Sequence, residues 1–358
     1  MFARGGRATV PTVLLAGAFG QGNPGDESVL HAFLDALDGC DIYATTRGRQ
    51  RTCGAGFRRV PSDDRMAVAR AALEADLVIV TATVFKTLHP STNRHPHALL
   101  LNTLALTAAA RAVGKPAIFA GVGAGTLEDT RARLLARSIV SLAGPVYLRD
   151  AESAEVLRDA GVNRPLTVCS DVVWQTMNVR TTGSDRSGGK VVAALSHLVG
   201  GPALTRSLAE TLRQLRHEGF EVVVQPWQAG HDDRMAAELV SMIGRPVEIW
   251  EPPQNVAQAV TQLAAARTVI GLRYHALVAA ASAGVSFVGV AHEPKQVAVA
   301  RRLNQVSVTP DVSTRELLNA ARTALVSPAP PQRLVDMERR LANRLLGDVR
   351  ELAFLRYQ

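Results

Sequence analysis

Along this chain, short uninterrupted apolar runs alternate with stretches whose apolar residues recur every three or four places. Thr12 to Ala18 (TVLLAGA) reads as a parallel strand, followed by the glycine loop Gly20-Gln-Gly-Asn-Pro-Gly25. Asp26 to Leu37 then sets Val29, Leu30, Phe33, Leu34 and Leu37 at helical spacing. Asp41 to Thr45 predicts a second strand, and Gly48 to Pro61 a basic, glycine-bearing connection. A helix over Arg65–Glu74 precedes a strand over Asp76–Val80, and a helix over 98–113 precedes a strand over Ala117–Ala120. Gly121-Val-Gly-Ala-Gly125 reads as a second glycine loop. A helix over 127–142, a strand over Val146–Leu148, a helix over 151–160 and a strand over Leu166–Val168 complete this half.

Strands and helical patterns alternating in this way predict a doubly wound parallel sheet. Residues 178–190 (NVRTTGSDRSGGK) lack periodicity and are rich in Gly, Ser, Thr and charge, as an inter-domain linker would be. The alternation then resumes, with strands over Val191–Leu195, Glu221–Gln225, Val247–Ile249, Arg267–Ile270 and Ser286–Val290. Helices are expected over 202–218, 232–243, 255–266, 276–283, 313–326 and 332–353. The expected fold is α/β: two Rossmann-like domains, 1–177 and 191–330, facing across a cleft, with a C-terminal helix in 331–358.

Composition narrows the function classes. A chain of 358 residues with 47% hydrophobic and 20% charged residues is long enough for two cores and is not that of a disordered protein. The formal charge of +8 comes from basic residues spread along the chain, without a basic run interleaved with aromatics. Nucleic acid is therefore not an expected partner, whereas an anionic small substrate suits a diffuse positive field. Cys40, Cys53 and Cys169 form no CxxC pair and are odd in number, so no disulfide framework is implied and a reducing compartment fits. Neither a signal-peptide core nor a transmembrane segment of roughly 18 apolar residues is evident, so a cytoplasmic location is expected.

Candidate chemistry gathers where predicted strands give way to helices. In Gly271-Leu-Arg-Tyr-His-Ala-Leu277, Arg273 and His275 stand between a strand and an Ala-rich helix. Open α/β sheets bind ligands at such turns, and a helix N-terminus favours an anion. Taken alone, His275 is as well explained as a helix-start histidine bonded to backbone. Arg273 beside it, and Lys295 one strand later, favour a functional reading. Gly20 to Gly25 matches G-x-G-x-x-G with Asp41 about twenty residues on, the arrangement of a dinucleotide site. Asp26 and Glu27, however, would repel a pyrophosphate there, and a loop turning Asn23, Asp26 and Glu27 towards sugar hydroxyls is preferred. Arg149-Asp150 is either a helix cap with a surface partner or a second ligand site at a strand end. His89, His95 and His97 read as a solvated loop, His231-Asp232-Asp233 as a helix start, and no metal set is completed.

Together these motifs resemble the polysaccharide pyruvyl transferase family. The resemblance rests on Gly22-Asn-Pro-Gly-Asp-Glu27, Arg149-Asp-Ala-Glu-Ser153, Gly271 to Leu277 and Glu293-Pro-Lys295, with Gly121 to Gly125 and Gln225-Pro226…Asp232 in register. Thr81-Ala-Thr83 departs from the family's glycine-rich turn, and His292 stands where a tyrosine is common. The resemblance implies a GT-B-like fold, phosphoenolpyruvate as donor substrate, no cofactor, and a sugar or glycan acceptor converted to a pyruvate ketal. It implies Arg149, Arg273, Tyr274 and Lys295 on the donor, Asn23 and Glu27 on the acceptor, and His275 with Asp26 handling protons. The competing expectations are a GT-B glycosyltransferase using a nucleotide sugar, and a non-catalytic carbohydrate- or anion-binding protein. Self-association into a homo-oligomer is left open.

Overall fold

A computed structural model describes residues 10–47, 56–89, 94–176, 189–244 and 247–355. Contacts divide them into two compact units. The first comprises described residues 10–21, 29–172 and 340–355; the second comprises 22–28 and the described part of 173–339. Most of the 178–190 stretch lies outside the described residues, as do Cys53 and most of the 48–61 connection.

In the first unit, eight described strands are β1 (Thr12–Phe19), β2 (Asp41–Thr46), β3 (Arg58–Pro61), β4 (Leu77–Val80), β5 (Thr83–Phe85), β6 (Ala117–Ala124), β7 (Val146–Leu148) and β8 (Thr167–Val168). They run parallel in the order β3-β2-β1-β4-β6-β7-β8, with β5 beside the end of β6. Helices α1 (Pro24–Ala36), α2 (Arg65–Glu74), α3 (Ala98–Ala112), α4 (Thr130–Leu142) and α5 (Ala151–Asp159) link them. All five lie within three residues of the expected spans, and three have legible starts: Asp64, Asp129 and Asp150 accept backbone N–H bonds at the starts of α2, α4 and α5.

The second unit carries β9 (Lys190–Ala194), β10 (Glu221–Gln225), β11 (Glu248–Ile249), β12 (Thr268–Gly271), β13 (Ser286–Val290) and β14 (Val306–Val308). Their order, β11-β10-β9-β12-β13-β14, is parallel throughout and is the arrangement that binds ligands where chain order reverses, here between β9 and β12. The helices are α6 (Pro202–His217), α7 (Asp233–Ile243), α8 (Val256–Leu263), α9 (Tyr274–Ser282), α10 (Pro294–Arg302), α11 (Thr314–Val326) and α12 (Gln332–Phe354). Each sheet has its own core, built on Leu14, Val78, Phe119 and Leu148 in one unit and on Val191, Val224, Ile270 and Val288 in the other.

Several expectations are corrected. Gly121 to Ala124 is not a loop but the continuation of β6, whose pairing with β7 shifts register between Phe119 and Val122. Small residues there read as a turn, yet all but Ala124 are buried and laddered. The strands β3, β5 and β14 and the helix α10 were not foreseen, being short or interrupted by charge. The last helix is not a separate terminal element, since 332–339 group with the second unit and 340–355 with the first.

Candidate functional site

In the second unit, the carboxyl ends of β9, β10 and β12 converge on Asp232. Its carboxylate is fully buried, although the residue directly precedes α7 as an ordinary cap would. One oxygen accepts the His197 backbone N–H at 2.7 Å and lies 2.8 Å from His197 Nδ1. The other accepts the backbone N–H groups of Trp227 and Gln228 at 3.0 and 2.7 Å. Arg273 Nη2 donates to the same carboxylate at 3.2 Å and to the Gln228 side-chain oxygen at 3.1 Å. Burial pushes the Asp232 carboxyl upward, but Arg273 and the backbone donors outweigh it and hold the group below its ordinary range.

This pairing aims Arg273. Its backbone is extended just before α9, so the side chain leaves from the strand end rather than from the helix face. The residue is 7% exposed. Its Nε is buried without a hydrogen-bond partner among the described residues. A buried donor left open in this way costs about 1–3 kcal/mol.

His275 occupies the first turn of α9, the one residue of that helix that is not fully buried. Gly25 packs against its ring: a Cβ placed there would fall 1.8 Å from His275 Nδ1. Tyr274 meets the same ring edge-on at 5.1 Å, and Lys295 Nζ lies 5.6 Å from the Tyr274 ring centre. Lys295 is itself paired with Glu293 at 2.6 Å. The segment 22–28 belongs to this unit, with Ser28 Oγ accepting the Val256 N–H at 2.9 Å. Asn23 donates to Asp26 at 2.7 Å and accepts the Gly25 N–H, so the two residues brace the first turn of α1.

Arg149 lies in the first unit. It is buried, not the surface partner that one reading allowed. It donates to Asp150 at 3.3 Å and to the Thr83 hydroxyl at 2.8 Å, and lies 3.8 Å from Asp171. Asp150 also caps α5 through the Ser153 N–H. Gly123 makes room for the guanidinium, since a Cβ there would fall 2.1 Å from Arg149 Nη2. Thr83 is presented by Ala82, which takes φ +77°, a conformation better suited to glycine. The departure at Thr81-Ala-Thr83 thus keeps a glycine-like backbone with a strained alanine.

Of the residues expected to act together, Asn23, Asp26, Glu27, Arg273, Tyr274, His275 and Lys295 fall in the second unit and Arg149 in the first. Sequence reasoning missed His197 and Gln228 and took Asp232 for a helix start. All three follow the carboxyl ends of strands, which was the available signal. His97 is also corrected: it is buried, with Nε2 2.8 Å from Asp129, rather than solvated. Among the described residues no group of three His, Cys, Asp or Glu is placed to hold a metal ion, and no helix is long and apolar enough to cross a membrane. Burial and the neighbouring Asp171 and Asp150 carboxylates push the Cys169 thiol up to about 12, which removes it as a nucleophile.

The fold is shared across nearly the whole chain with solved structures of sugar-nucleotide proteins. A UDP-N-acetylglucosamine 2-epimerase from Rickettsia bellii has a TM-score of 0.65 at 11% identity, covering 98% of this chain and 97% of its own. The corresponding enzyme from Methanocaldococcus jannaschii has a TM-score of 0.63 at 9% identity, covering 96% and 99%. HepE from Anabaena, solved with UDP and glucose, has a TM-score of 0.58 at 13% identity, covering 97% and 96%. The protein is thus of the GT-B-like α/β class, with two Rossmann-like sheets. No curated protein sequence matches it. Residues 58–294, well over half of the chain, match Polysaccharide pyruvyl transferase, and the chain belongs to that family. The matched stretch contains Arg149 to Ser153 and Gly271 to Leu277; it begins after the Gly22–Glu27 loop and ends one residue before Lys295.

Proposed function

We propose that this protein transfers the pyruvyl group of phosphoenolpyruvate to two hydroxyls of a sugar or glycan, forming a pyruvate ketal. The observation that carries this reading is Arg273, a buried guanidinium held by Asp232 with Nε unpartnered, beside His275 at a helix N-terminus. Phosphoenolpyruvate offers a carboxylate and a phosphate, and guanidinium binds either through paired, charge-assisted hydrogen bonds. The reaction moves two protons. One hydroxyl proton is replaced by delivery of a proton to the enol methylene, and the second leaves with phosphate as the second oxygen bonds to the former enol carbon. His275 suits the first of these transfers. Tyr274 and Lys295 extend the donor site, with Lys295 neutralised in part by Glu293. Asn23, Asp26 and Glu27 are assigned to the acceptor. Arg149, balanced by two carboxylates, is assigned to holding the turn that carries Thr83.

A nucleotide sugar is the second reading, because HepE, which shares the fold, was solved with UDP and glucose. A thermal-shift titration separates the two. Ligand at a hundred times its Kd stabilises the native state by about 2.7 kcal/mol. The expected result is a melting-temperature rise with phosphoenolpyruvate, little with UDP, and loss of the rise in Arg273→Ala. A rise with UDP alone would replace pyruvyl transfer by the nucleotide-sugar reading.

A further inference from the structure

We infer that His197, oriented by Asp232, is a second proton-carrying group of the Arg273 site and supplies a switchable positive charge to the anion bound there. The His197 ring and the Arg273 guanidinium meet at one carboxylate. His197 Nδ1 lies 2.8 Å from Asp232 Oδ1, and Arg273 Nη2 lies 3.2 Å from the same oxygen and 3.1 Å from Nδ1 itself. The closer carboxylate decides the tautomer, although the guanidinium N–H beside Nδ1 by itself favours a bare nitrogen there. Nδ1 carries hydrogen and donates to Asp232, because an unprotonated Nδ1 would set its lone pair against the carboxylate. That leaves Nε2 to exchange protons with a ligand, and Nε2 has no hydrogen-bond partner among the described residues. The side chain is about one-third open (32% exposed), whereas the Asp232 side chain is wholly closed. This is a carboxylate–imidazole pair with a buried anchor and an accessible working nitrogen.

His275, in the first turn of α9 with its ring packed against Gly25, is the other histidine of this candidate site. The reaction proposed above moves two protons, and the two histidines divide them. In that scheme, which rests on the pyruvyl-transfer reading, His197 Nε2 gives a proton to the departing phosphate as the carbon–oxygen bond breaks. The second acceptor hydroxyl returns a proton to the same Nε2 as its oxygen bonds to the former enol carbon, so the imidazole ends as it began. The charged or titratable groups around His197 are Asp232, Arg273 and His231, whose ring stacks on His197 at 4.9 Å.

The test uses the full-length protein and sulfate, an anion whose charge is constant between pH 5.5 and 8.5. Sulfate binding is followed by thermal shift across that range in wild type, His197→Asn, His231→Asn and Arg273→Ala. Asparagine keeps a donor for Asp232 in the place of Nδ1 and removes the titrating nitrogen. The expected result is sulfate affinity at least about threefold tighter at the acid end in wild type, a modest electrostatic gain for one added charge near the ligand. His231→Asn should keep that dependence, His197→Asn should bind sulfate with it largely flattened, and Arg273→Ala should not bind. Unchanged pH dependence in His197→Asn, or no pH dependence in wild type, overturns the inference. If sulfate behaves as expected while phosphoenolpyruvate produces no shift, the histidine–carboxylate pair stands and pyruvyl transfer falls. Where phosphoenolpyruvate is turned over, His197→Asn should lower kcat more than it raises KM, and an equal kcat counts against the proton-donor role.

Discussion

Two candidate functional side chains occupy space that any residue larger than glycine would take. His275 fills the volume beside Gly25, and Arg149 that beside Gly123. Gly25→Ala therefore displaces an imidazole rather than merely stiffening a loop. The expected cost is about 1–3 kcal/mol by urea unfolding, as for other overpacked sites, with a shifted His275 signal in the imidazole region of the proton NMR spectrum. Asp232 gives a pH signature. Its folded-state carboxyl lies below the ordinary value of 3.8, so its contribution is complete above that value and drains as pH falls through the lower folded one. Urea midpoints should fall below about pH 4 in wild type and fall less steeply in Asp232→Asn. Asp232→Ala, which strands Arg273 and three backbone donors, should cost about 3–5 kcal/mol at neutral pH.

Among the elements, α10 shows how a helix not foreseen from the pattern organises the site. Its Gln296 is fully buried and joins two strand ends: it donates to the carbonyls of Leu272 and Val290 and accepts the N–H groups of His292 and Glu293. Leu272 precedes Arg273, and Glu293 holds Lys295. Gln296→Ala leaves several buried groups unpaired and should cost about 2–4 kcal/mol by urea unfolding, while weakening the thermal shift proposed for phosphoenolpyruvate. The helix was hard to read because Glu293-Pro-Lys295 looks like a turn, and its apolar residues, Val297 to Ala300, form one consecutive run without helical spacing. By contrast α6, α7 and α11 carry strong apolar faces, and their spans agree with expectation within a residue or two.

At the scale of the molecule, the chain visits its two units out of order. The segment 340–355 completes the first unit: Leu345, Val349 and Ala353 are buried, and Arg350 donates to the carbonyl oxygens of Ala36 and Asp38 at the end of α1. Ending the chain after Arg339 should therefore expose the first unit, not the second. Limited proteolysis should cut the shortened protein within 10–172 while 189–330 survives; preferential cutting in the second unit would contradict this.

The alternation of apolar runs and helical faces determined the α/β class, two Rossmann-like domains and most strand positions, since a parallel strand buried on both faces must be apolar throughout. The residues at strand ends determined Arg273, His275 and Arg149 as candidates, because strand termini are where an open sheet accepts ligands. Only the tertiary structure decided which of those charges are spent internally. Arg149 is balanced by Asp150 and Asp171, while Arg273 keeps Nε unpartnered. It alone revealed that Asp232, 35 residues from His197 and 41 from Arg273, aims both. Such distances along the chain close only when separate strands are laid side by side, and no local pattern of apolar and polar residues encodes which strand becomes whose neighbour.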